Sequence, residues 1–374
     1  MANTFKFGNK KWATKEGSVL AYNDENNNFK PLPFDFTRAS SATRVNENGL
    51  IEVVGSNEPR IDYLNNADGH LLLEPSRSNI MLYSEEFDNA YWTKNNATVL
   101  ANNAISPDGT QNADKITFLT SSGEIVKTTT FTSGVQYTMS FYAKTESGTL
   151  TFNYGNIDYA VVSGTATDEW QRFVVTQTAP VTTRFPKIQT TETGSLLLWG
   201  LQIEQGSYAT SYIPTSGSAV TRNGELSFER EDMVDLNLYS SEMTWFYDIN
   251  LFNKEGGSTV APRLINTSDN QVFIGLNIPD EPNTDLRIRH KDGTTAANTN
   301  SVTFTNGGRF KIAVKITGTT GTAYINGTNV GTFTTLAASN YNKYENSGSN
   351  SNNINDMRFY NTALSDSELQ ALTS

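Results

Sequence analysis

The chain has 374 residues, of which 37% are hydrophobic and 18% charged, and it contains no cysteine. Its net charge of −11 argues against a nucleic-acid partner, because an acidic surface repels phosphate backbones. The lack of cysteine excludes disulfides, thiolate metal sites and a cysteine nucleophile.

The composition indicates β-structure. Threonine and the aromatic residues (20 Phe, 16 Tyr and 5 Trp) suit half-buried pleated surfaces, while asparagine, glycine and serine suit the turns between strands. No apolar run reaches the length of a membrane span, and the N-terminus lacks the apolar core of a signal peptide. We therefore expect an all-β protein made and folded in a cytoplasm, without membrane insertion.

The predicted architecture is two antiparallel β-sandwich (jelly-roll) modules, preceded by an extended N-terminal arm and a short β connector. The arm is predicted over residues 1–33, since Asn26 to Asn28 and the prolines at 31 and 33 favour an extended segment. We expect this arm to dock on other proteins or on another copy of the chain. The connector spans residues 34–80, and the modules span 81–218 and 219–374, with the turn-rich residues 214–218 between them.

In the middle module, period-2 alternation predicts two strands. The first carries Tyr137, Met139, Phe141 and Ala143 on one face. The second strand, at residues 196–204, is apolar on both faces in its first half, which predicts a central position. Its predicted face consists of Leu197, Trp199, Leu201 and Ile203.

In the C-terminal module, alternation predicts strands at residues 243–251, 272–278 and 310–316. Asn326-Gly327 predicts a type I′ hairpin turn, because that turn requires positive φ at both central positions and Asn and Gly adopt it readily. The final element is predicted to be a short helix. Ser365 and Glu368 have the spacing of a capping box, and the leucines at 364 and 369 that of a hydrophobic staple.

Several stretches between about residues 34 and 222 resemble a signature shared by many bacteriophage virion proteins. The residues that carry it are 36–44, 73–79, 83–92, 198–206 and 209–215. In those proteins the module resembles a carbohydrate-binding jelly roll. Residues 223–374 resemble the laminin-G-like or concanavalin-like lectin fold, on the strand 310–316, the hairpin 323–331 and residues 357–369.

These resemblances imply a structural virion protein, a fibre, decoration or tail-associated component on the particle surface, that adheres to host-surface glycans. They also imply a homo-oligomer, with trimers usual for such proteins, and contacts with other virion proteins through the arm. Fold and function are separable, so two alternatives stay open: a virion-associated polysaccharide depolymerase (hydrolase or lyase), and an architectural protein without a ligand.

The sequence lacks a coherent catalytic set, and we predict that the protein is not an enzyme. Glycoside hydrolysis needs two carboxylates across a cleft. The nearest acids crowd into residues 225–232, where no apolar alternation places two on one face, so a solvated charge cluster is the better interpretation. The acids in question are Glu225, Glu229, Glu231 and Asp232.

Two histidines, His70 and His290, lie outside any recognisable catalytic or metal motif. A lyase site of Tyr247, Arg287 and His290 is conceivable, although strand histidines are more often structural. We predict no cofactor. A structural calcium is an unassigned possibility near four acids that also suit ordinary turns: Asp269, Asp280, Glu281 and Asp285.

Sugar binding by stacking needs exposed aromatic rings beside amide and carboxylate side chains. Residues 152–159 have that composition, and they make Tyr154 and Tyr159 the main candidates. Trp170 and Arg184 are possible contributors, and Tyr91 with Trp92 form a second candidate pair. The alternative for Trp92, Trp170 and Trp199 is a place in the core, and Trp199 is expected there.

Overall fold

A computed structural model describes residues 4–15, 17–23, 27–225, 227–230, 233, 242–252, 262–268, 272–277, 285–292, 296–347 and 352–374. The chain divides into two compact units. Unit 1 comprises residues 1–41, 54–76 and 223–374, and unit 2 comprises residues 42–53 and 77–222. Both are built of antiparallel strands, which confirms the predicted all-β, β-sandwich fold class.

The strands of the described residues, in chain order, are β1 Thr4–Gly8, β2 Thr14–Lys15, β3 Ser18–Asn23, β4 Asn28–Thr37, β5 Ala42–Val45, β6 Ile51–Val54, β7 Ile61–Asp62, β8 His70–Leu73, β9 Arg77–Asn79, β10 Thr93–Asn95, β11 Ala97–Ala104, β12 Ala113–Phe118, β13 Glu124–Val126, β14 Thr129–Thr130, β15 Gln136–Lys144, β16 Leu150–Gly155, β17 Val161–Ala166, β18 Gln171–Thr178, β19 Thr183–Arg184, β20 Lys187–Thr190, β21 Gly194–Gln205, β22 Val220–Arg222, β23 Ser227–Arg230, β24 Glu242–Leu251, β25 Arg263–Ile265, β26 Val272–Asn277, β27 Asp285–Asp292, β28 Ala296–Asn298, β29 Val302–Thr303, β30 Arg309–Thr317, β31 Thr320–Ile325, β32 Thr328–Thr334, β33 Lys343–Ser347 and β34 Asn352–Tyr360.

The N-terminal segment differs from the predicted arm, because its strands belong to unit 1. Strand β1 pairs with β34 over five register positions and also with β3, and β4 pairs with β23. Phe5, Phe7 and Phe34 are almost fully buried in the core of unit 1. Pro31 lies in the irregularity of the β3–β4 pairing, which passes from Pro33 opposite Leu20 to Phe29 opposite Tyr22. Phe5 and Phe7 alternate along β1 and both point into the core. The N-terminal segment is therefore part of unit 1 and does not form a separate arm.

The predicted connector is also divided, since residues 54–76 lie in unit 1 and residues 42–53 in unit 2. Strand β8 pairs with β34, which adds residues 70–73 to the network that holds the N-terminal strands. Unit 1 therefore collects three separate chain segments around one apolar core. Such long-range pairing is invisible to local periodicity.

The short helix α1 (Asp366–Thr373) forms as predicted, and both hydrogen bonds of its capping box are present. Leu369 is buried against Phe246, Ala313 and Tyr324 on one face of unit 1, and Leu364 packs beside them. The hairpin at Asn326-Gly327 is confirmed as well, with φ of 47° and 74° at its two central residues.

Unit 2 contains two five-stranded antiparallel sheets. Sheet A is defined by the order β10-β13-β20-β16-β17, and sheet B by the order β11-β12-β21-β15-β18. Apolar side chains of both sheets meet in one core, where Phe152 and Ile188 of sheet A join Phe141 of sheet B. As predicted, β21 is central, since it pairs with both β12 and β15.

The predicted face of β21 is wrong in one respect. Leu201 and Ile203 point into the main core, but Trp199 lies on the opposite side of the sheet in a separate cluster with Tyr212. The pairing of β15 with β21 shifts its register between Ser140 and Tyr142, beside Gly200 at φ +66°. This irregularity reverses the alternation, an effect of an inserted residue that period-2 patterning does not anticipate. Trp199 is nevertheless 1% exposed, as expected for a core residue.

Candidate functional site

Tyr159 is an exposed aromatic residue in the loop of residues 155–160, which joins strands β16 and β17 of sheet A. Its side chain is 62% exposed, although most large aromatic residues of unit 2 are buried. Its φ is +76°, in the left-handed region, where a bulky side chain is a conformational outlier. The loop therefore holds a large ring in solvent at a cost in backbone energy of about 1–3 kcal/mol.

Arg184 supports the ring from below. The centre of its guanidinium lies 3.6 Å from the centroid of the Tyr159 ring, in cation–π contact. Arg184 is 5% exposed, so a buried cation is used to fix one exposed ring. The contact leaves the opposite face of the ring available for stacking.

The guanidinium of Arg184 is itself fixed by the loop. Its Nε donates to the carbonyl of Ile157 at 2.9 Å, and its Nη2 donates to the carbonyl and to Oδ1 of Asn156 at 3.1 and 3.0 Å. Asn156 Nδ2 in turn donates to the carbonyl of Phe185 at 2.8 Å. Charge-assisted bonds of this kind are the stronger class of hydrogen bond, so the support is rigid.

Gln177 of β18 braces the loop from the other side. Its Oε1 accepts from the Ile157 amide at 2.9 Å, and its Nε2 donates to Asp158 Oδ1 at 2.6 Å and to the Ala160 carbonyl at 3.0 Å. Asp158 Oδ1 also accepts from the Ala160 amide at 2.9 Å. Bonds on both sides of residue 159 thus over-determine its conformation, as a strained residue requires.

Gly155 begins this loop at φ +106°, and a Cβ there would lie 2.8 Å from Gln177 Oε1. The position therefore requires glycine if Gln177 is to reach the loop. Phe185, next to Arg184, is 44% exposed. The loop thus presents the Tyr159 ring and the side chains of Asn156 and Asp158, and Phe185 adds an exposed aromatic residue beside Arg184, the combination that sugar stacking uses.

The other predicted stacking residues lie elsewhere. Tyr154 (7% exposed) and Trp92 (3% exposed) are buried in the core of unit 2. Burial raises the pKa of Tyr154, whose hydroxyl donates to the Val174 carbonyl at 3.2 Å. We remove both residues from the candidate binding set, because their faces are covered by protein.

Tyr91 and Trp170 occupy two further places. Tyr91 is half-buried against Trp92 and carries Lys127 Nζ 3.9 Å above its ring. Trp170 packs with the cluster of Trp199 and Tyr212, separate from the main core, and donates from Nε1 to the Ile105 carbonyl at 3.0 Å. Of the six candidates, the structure brings Tyr159 into contact with Arg184 and Tyr91 into contact with Trp92, and the exposed ring is that of Tyr159.

The stretches that resemble virion proteins contact one another in unit 2. Glu204 accepts from the amide and hydroxyl of Thr210 at 2.7 and 2.6 Å, and Gln202 Oε1 accepts from the Ile213 amide at 2.8 Å. Asn79 Nδ2 donates to the Ile213 carbonyl at 2.9 Å. Burial raises the pKa of Glu204, and its hydrogen bonds partly oppose that rise. These residues hold the fold together and are not arranged as a ligand site.

The predicted acid cluster at 225–232 has no hydrolase geometry in the described residues. Glu225 is 1% exposed, and its carboxylate bonds Arg38 at 3.2 Å and Arg60 at 2.9 Å. For this residue the interpretation as a solvated charge is wrong. Glu229 pairs with Lys343 at 3.0 Å. Glu231 and Asp232 lie outside the described residues.

Two carboxylates that sequence reasoning missed are neighbours in unit 1. Asp248 and Asp356 are register partners on β24 and β34, more than a hundred positions apart, so no local signal could have linked them. Arg309 donates to both oxygens of Asp248 at 2.6 Å, and Arg358 Nε donates to Asp356 at 2.9 Å. Burial raises the pKa of Asp356, and the Arg358 bond opposes the rise. Each acid is held by an arginine, as in a structural ion-pair network.

The proposed lyase residues do not converge. Tyr247 is 1% exposed and donates to the hydroxyl of Tyr344, which is also buried. Arg287 and His290 lie three positions apart on β27 and therefore on opposite faces. His290 stacks on Phe333 with ring centroids 4.3 Å apart.

His70 is buried beside a carboxylate, with 3.5 Å between its Nε2 and Asp62 Oδ1. Burial lowers the pKa of His70, a shift that Asp62 and Glu74 oppose. Among the described residues, no group of three or more His, Cys, Asp or Glu side chains could hold a metal ion. Asp285 pairs with Arg287 at 3.0 Å, and Asp269, Asp280 and Glu281 lie outside the described residues.

Within the described part of the chain, no helix has the length and apolar character needed to cross a membrane.

No family model and no curated protein matches the chain. Among solved structures, it is similar to the CBM40 domain of Ruminococcus gnavus IT-sialidase bound to α2,3-sialyllactose, at 14% identity and TM-score 0.31, over 40% of this chain and 94% of that one. It is similar to the CBM22 tandem domain of a Paenibacillus barcinonensis protein, at 13% identity and TM-score 0.30, over 78% and 99%.

A Trypanosoma rangeli sialidase is similar at 16% identity and TM-score 0.28 over 35% of this chain. The chain spans only 22% of that sialidase's length. With TM-scores near 0.3, these similarities do not bear on the ligand or the activity of the chain.

Proposed function

We propose that this protein is a non-enzymatic glycan-binding component of a bacteriophage particle, with the loop of residues 155–160 as its binding site. The binding proposal rests on Tyr159, whose backbone is strained and whose ring is exposed. Arg184 contacts the ring, and Gln177 holds the loop that carries it. Backbone strain persists where the surroundings enforce it, and it concentrates at ligand clamps. The virion origin rests on the sequence signature between residues 34 and 222.

The chemistry of the loop suits a pyranose ring. An aromatic face stacks on the C–H face of a sugar. The second amide hydrogen of Asn156 and Oδ2 of Asp158, which the loop does not use, can bond the sugar hydroxyls. The Arg184 contact fixes the ring before a ligand arrives, so little side-chain entropy is lost on binding.

A glycan array of bacterial polysaccharides and neutral and acidic oligosaccharides tests the proposal. We expect the full chain to bind a subset, and Tyr159→Ala to lower its affinity by about five- to 140-fold, as expected for a stacking contact of about 1–3 kcal/mol. Leu100→Ala is the matched control, because Leu100 is 59% exposed on β11 of the other sheet. A blank array, or equal binding by both variants, contradicts the proposed site.

The non-enzyme proposal has its own assay. The purified chain is incubated with capsular and exopolysaccharides, and new reducing ends or unsaturated products are measured. We expect no turnover. Turnover that is lost in Asp248→Asn or Asp356→Asn would instead support the depolymerase alternative.

The particle location is tested by sedimentation of lysates from infected cells, in which we expect the protein to travel with intact particles. Attachment by a free arm no longer has support, because Phe5, Phe7 and Phe34 belong to the core of unit 1. Contacts with other virion proteins and homo-oligomer formation, including the trimer, stay part of the proposal. Light scattering of the purified chain measures the oligomer.

A further inference from the structure

One register row of polar side chains crosses all five strands of sheet A. Consecutive partners along the row are Asn95 with Glu124, Glu124 with Gln189, Gln189 with Asn153, and Asn153 with Ser163. Register partners in an antiparallel sheet lie on the same face. We call this set the polar row.

The polar row lies on the outer face of sheet A. The residues that alternate with it point inward, since Ile125, Ile188 and Phe152 are each 0–1% exposed in the core. The row itself is partly or fully exposed at every position. Uncharged hydrogen-bonding groups at four of its five positions make it unlike an ordinary charged, solvated strand face.

Two of the five side chains in the polar row are held by hydrogen bonds to described residues, and three are not. Glu124 accepts from Asn95 Nδ2 at 2.9 Å and from Lys187 Nζ at 3.1 Å, so its carboxylate is oriented and its charge is compensated. Within the part of the chain that the structure describes, the side chains of Gln189, Asn153 and Ser163 make no hydrogen bond. Two neighbouring amides and a hydroxyl therefore present unused donors and acceptors.

The row leads toward the Tyr159 loop. Strand β16 ends at Gly155 and β17 begins at Val161, so Asn153 and Ser163 lie two residues, or about 7 Å, from the start of the loop. The donors and acceptors then recur at each strand, about 4.8 Å apart. This spacing is close to the length of one sugar residue, so successive residues of a linear chain meet successive side chains.

We infer that the polar row binds an internal stretch of a linear, uncharged polysaccharide that extends from the Tyr159 loop across sheet A. The inference rests on the proposed glycan-binding function and deepens it by naming the ligand class. Compensation of Glu124 by Lys187 leaves the row without net charge, which favours a neutral chain. Each uncharged side chain of the row contributes neutral hydrogen bonds only. Longer polysaccharide chains make more of these bonds, so we expect affinity to grow with chain length.

Chain length provides the test. The neutral polysaccharide that binds most strongly on the array is partly hydrolysed, and fragments of two to six residues are titrated calorimetrically. We expect affinity to rise up to about four or five residues. Asn153→Ala combined with Gln189→Ala should weaken binding of the long fragments by about five- to fiftyfold and leave disaccharide binding unchanged. Asn103→Ala is the control, an amide change on β11 of the other sheet.

The outcomes separate the two proposals. Affinity that is independent of length, or a double variant that binds every fragment like the unmodified chain, overturns the row even if Tyr159→Ala still weakens binding. An array on which only acidic polysaccharides bind overturns the neutral ligand class. The predicted fold-decrease in affinity for Tyr159→Ala, together with a length effect abolished by the double variant, supports both proposals.

Discussion

The two units use their polar side chains differently. In unit 1 the charged groups bond one another, as Glu225 does with Arg38 and Arg60 in the interior and Asp248 does with Arg309 on β24. In unit 2 a buried arginine and glutamine brace an exposed ring, and amides on an outer sheet face keep free hydrogen-bonding capacity. Polar groups already bonded within the fold stabilise it, and those left open to solvent are able to bind a ligand.

The units also differ in how far their strands reach along the sequence. The core strands of unit 1 join residues 4–8 with residues 352–360, whereas those of unit 2 come mostly from residues 93–205. We therefore expect damage to the N-terminal segment to affect unit 1 selectively. Deletion of this segment, which should have the largest effect on stability, tests the difference.

Deletion of residues 1–41 removes β1, one partner of β34, and β4, one partner of β23, together with Phe5, Phe7 and Phe34 from the core. We expect the unfolding transition of unit 1 to disappear, while unit 2 keeps its own. Hydrogen exchange followed by mass spectrometry measures both units in one sample, with the amides of unit 2 as the internal control. Native protection of β24 and β34 in the shortened chain would show that the segment is dispensable.

Glu225→Ala is expected to lower the free energy of unfolding of unit 1 by about 3–5 kcal/mol. It removes the buried carboxylate that Arg38 and Arg60 share, while Arg60 keeps its pair with Glu74. Glu229→Ala, on β23, breaks a partly exposed pair with Lys343. It should lower the free energy of unfolding by less than about 1 kcal/mol. Urea denaturation compares the two. Equal costs would mean that burial of the ion pairs does not matter to unit 1.

Gly8→Ala tests the close approach of β1 to β34. A Cβ at residue 8 would lie 2.1 Å from the carbonyl oxygen of Asn355, and φ there is +93°. Strain alone should cost about 1–3 kcal/mol, and the carbonyl must also move. Gly17→Ala is the control, with φ +71° and nothing within 4 Å of the added Cβ. Thermal unfolding should separate the two variants, and equal losses would contradict the contact.

His70 gives unit 1 a specific pH dependence. Burial lowers its pKa in the folded state, so the unfolded chain binds the proton more readily. Its contribution to stability is therefore complete above the unfolded pKa of about 6.5 and is lost progressively as pH falls below it. The groups that face it are Asp62, Glu74 and Arg60. We expect His70→Gln to show a shallower loss of unfolding free energy between pH 7 and pH 5, and an unchanged slope would contradict this origin.

Tyr159→Gly should have the smallest effect on stability and a large effect on binding. Relief of about 1–3 kcal/mol of backbone strain is offset by the flexibility of glycine, about 0.5–1 kcal/mol, and by loss of the Arg184 contact, about 0.5–1 kcal/mol. We expect the free energy of unfolding of unit 2 to change by between about −1 and +2 kcal/mol, the sum of these three contributions, with glycan binding weakened as in Tyr159→Ala. A strongly destabilised variant would mean that Tyr159 is structural.

The sequence alone determined what depends on neighbours along the chain. Alternating apolar residues located strands β15, β24 and β30, Asn326-Gly327 located a hairpin, and Ser365 with Glu368 located the helix. It also singled out Tyr159 as a binding candidate, because an aromatic and amide-rich segment has a recognisable composition, and named Arg184 as a possible contributor.

Tertiary structure decided everything that depends on pairing between distant segments. Pairing with β34 turned the predicted arm into strands of unit 1, and the irregularity beside Gly200 moved Trp199 to the other face of its sheet. Burial separated Tyr154 from Tyr159, although the two lie five positions apart, and register assembled the polar row from five strands. Local patterning cannot specify these features, since strand register and burial depend on which distant segments meet.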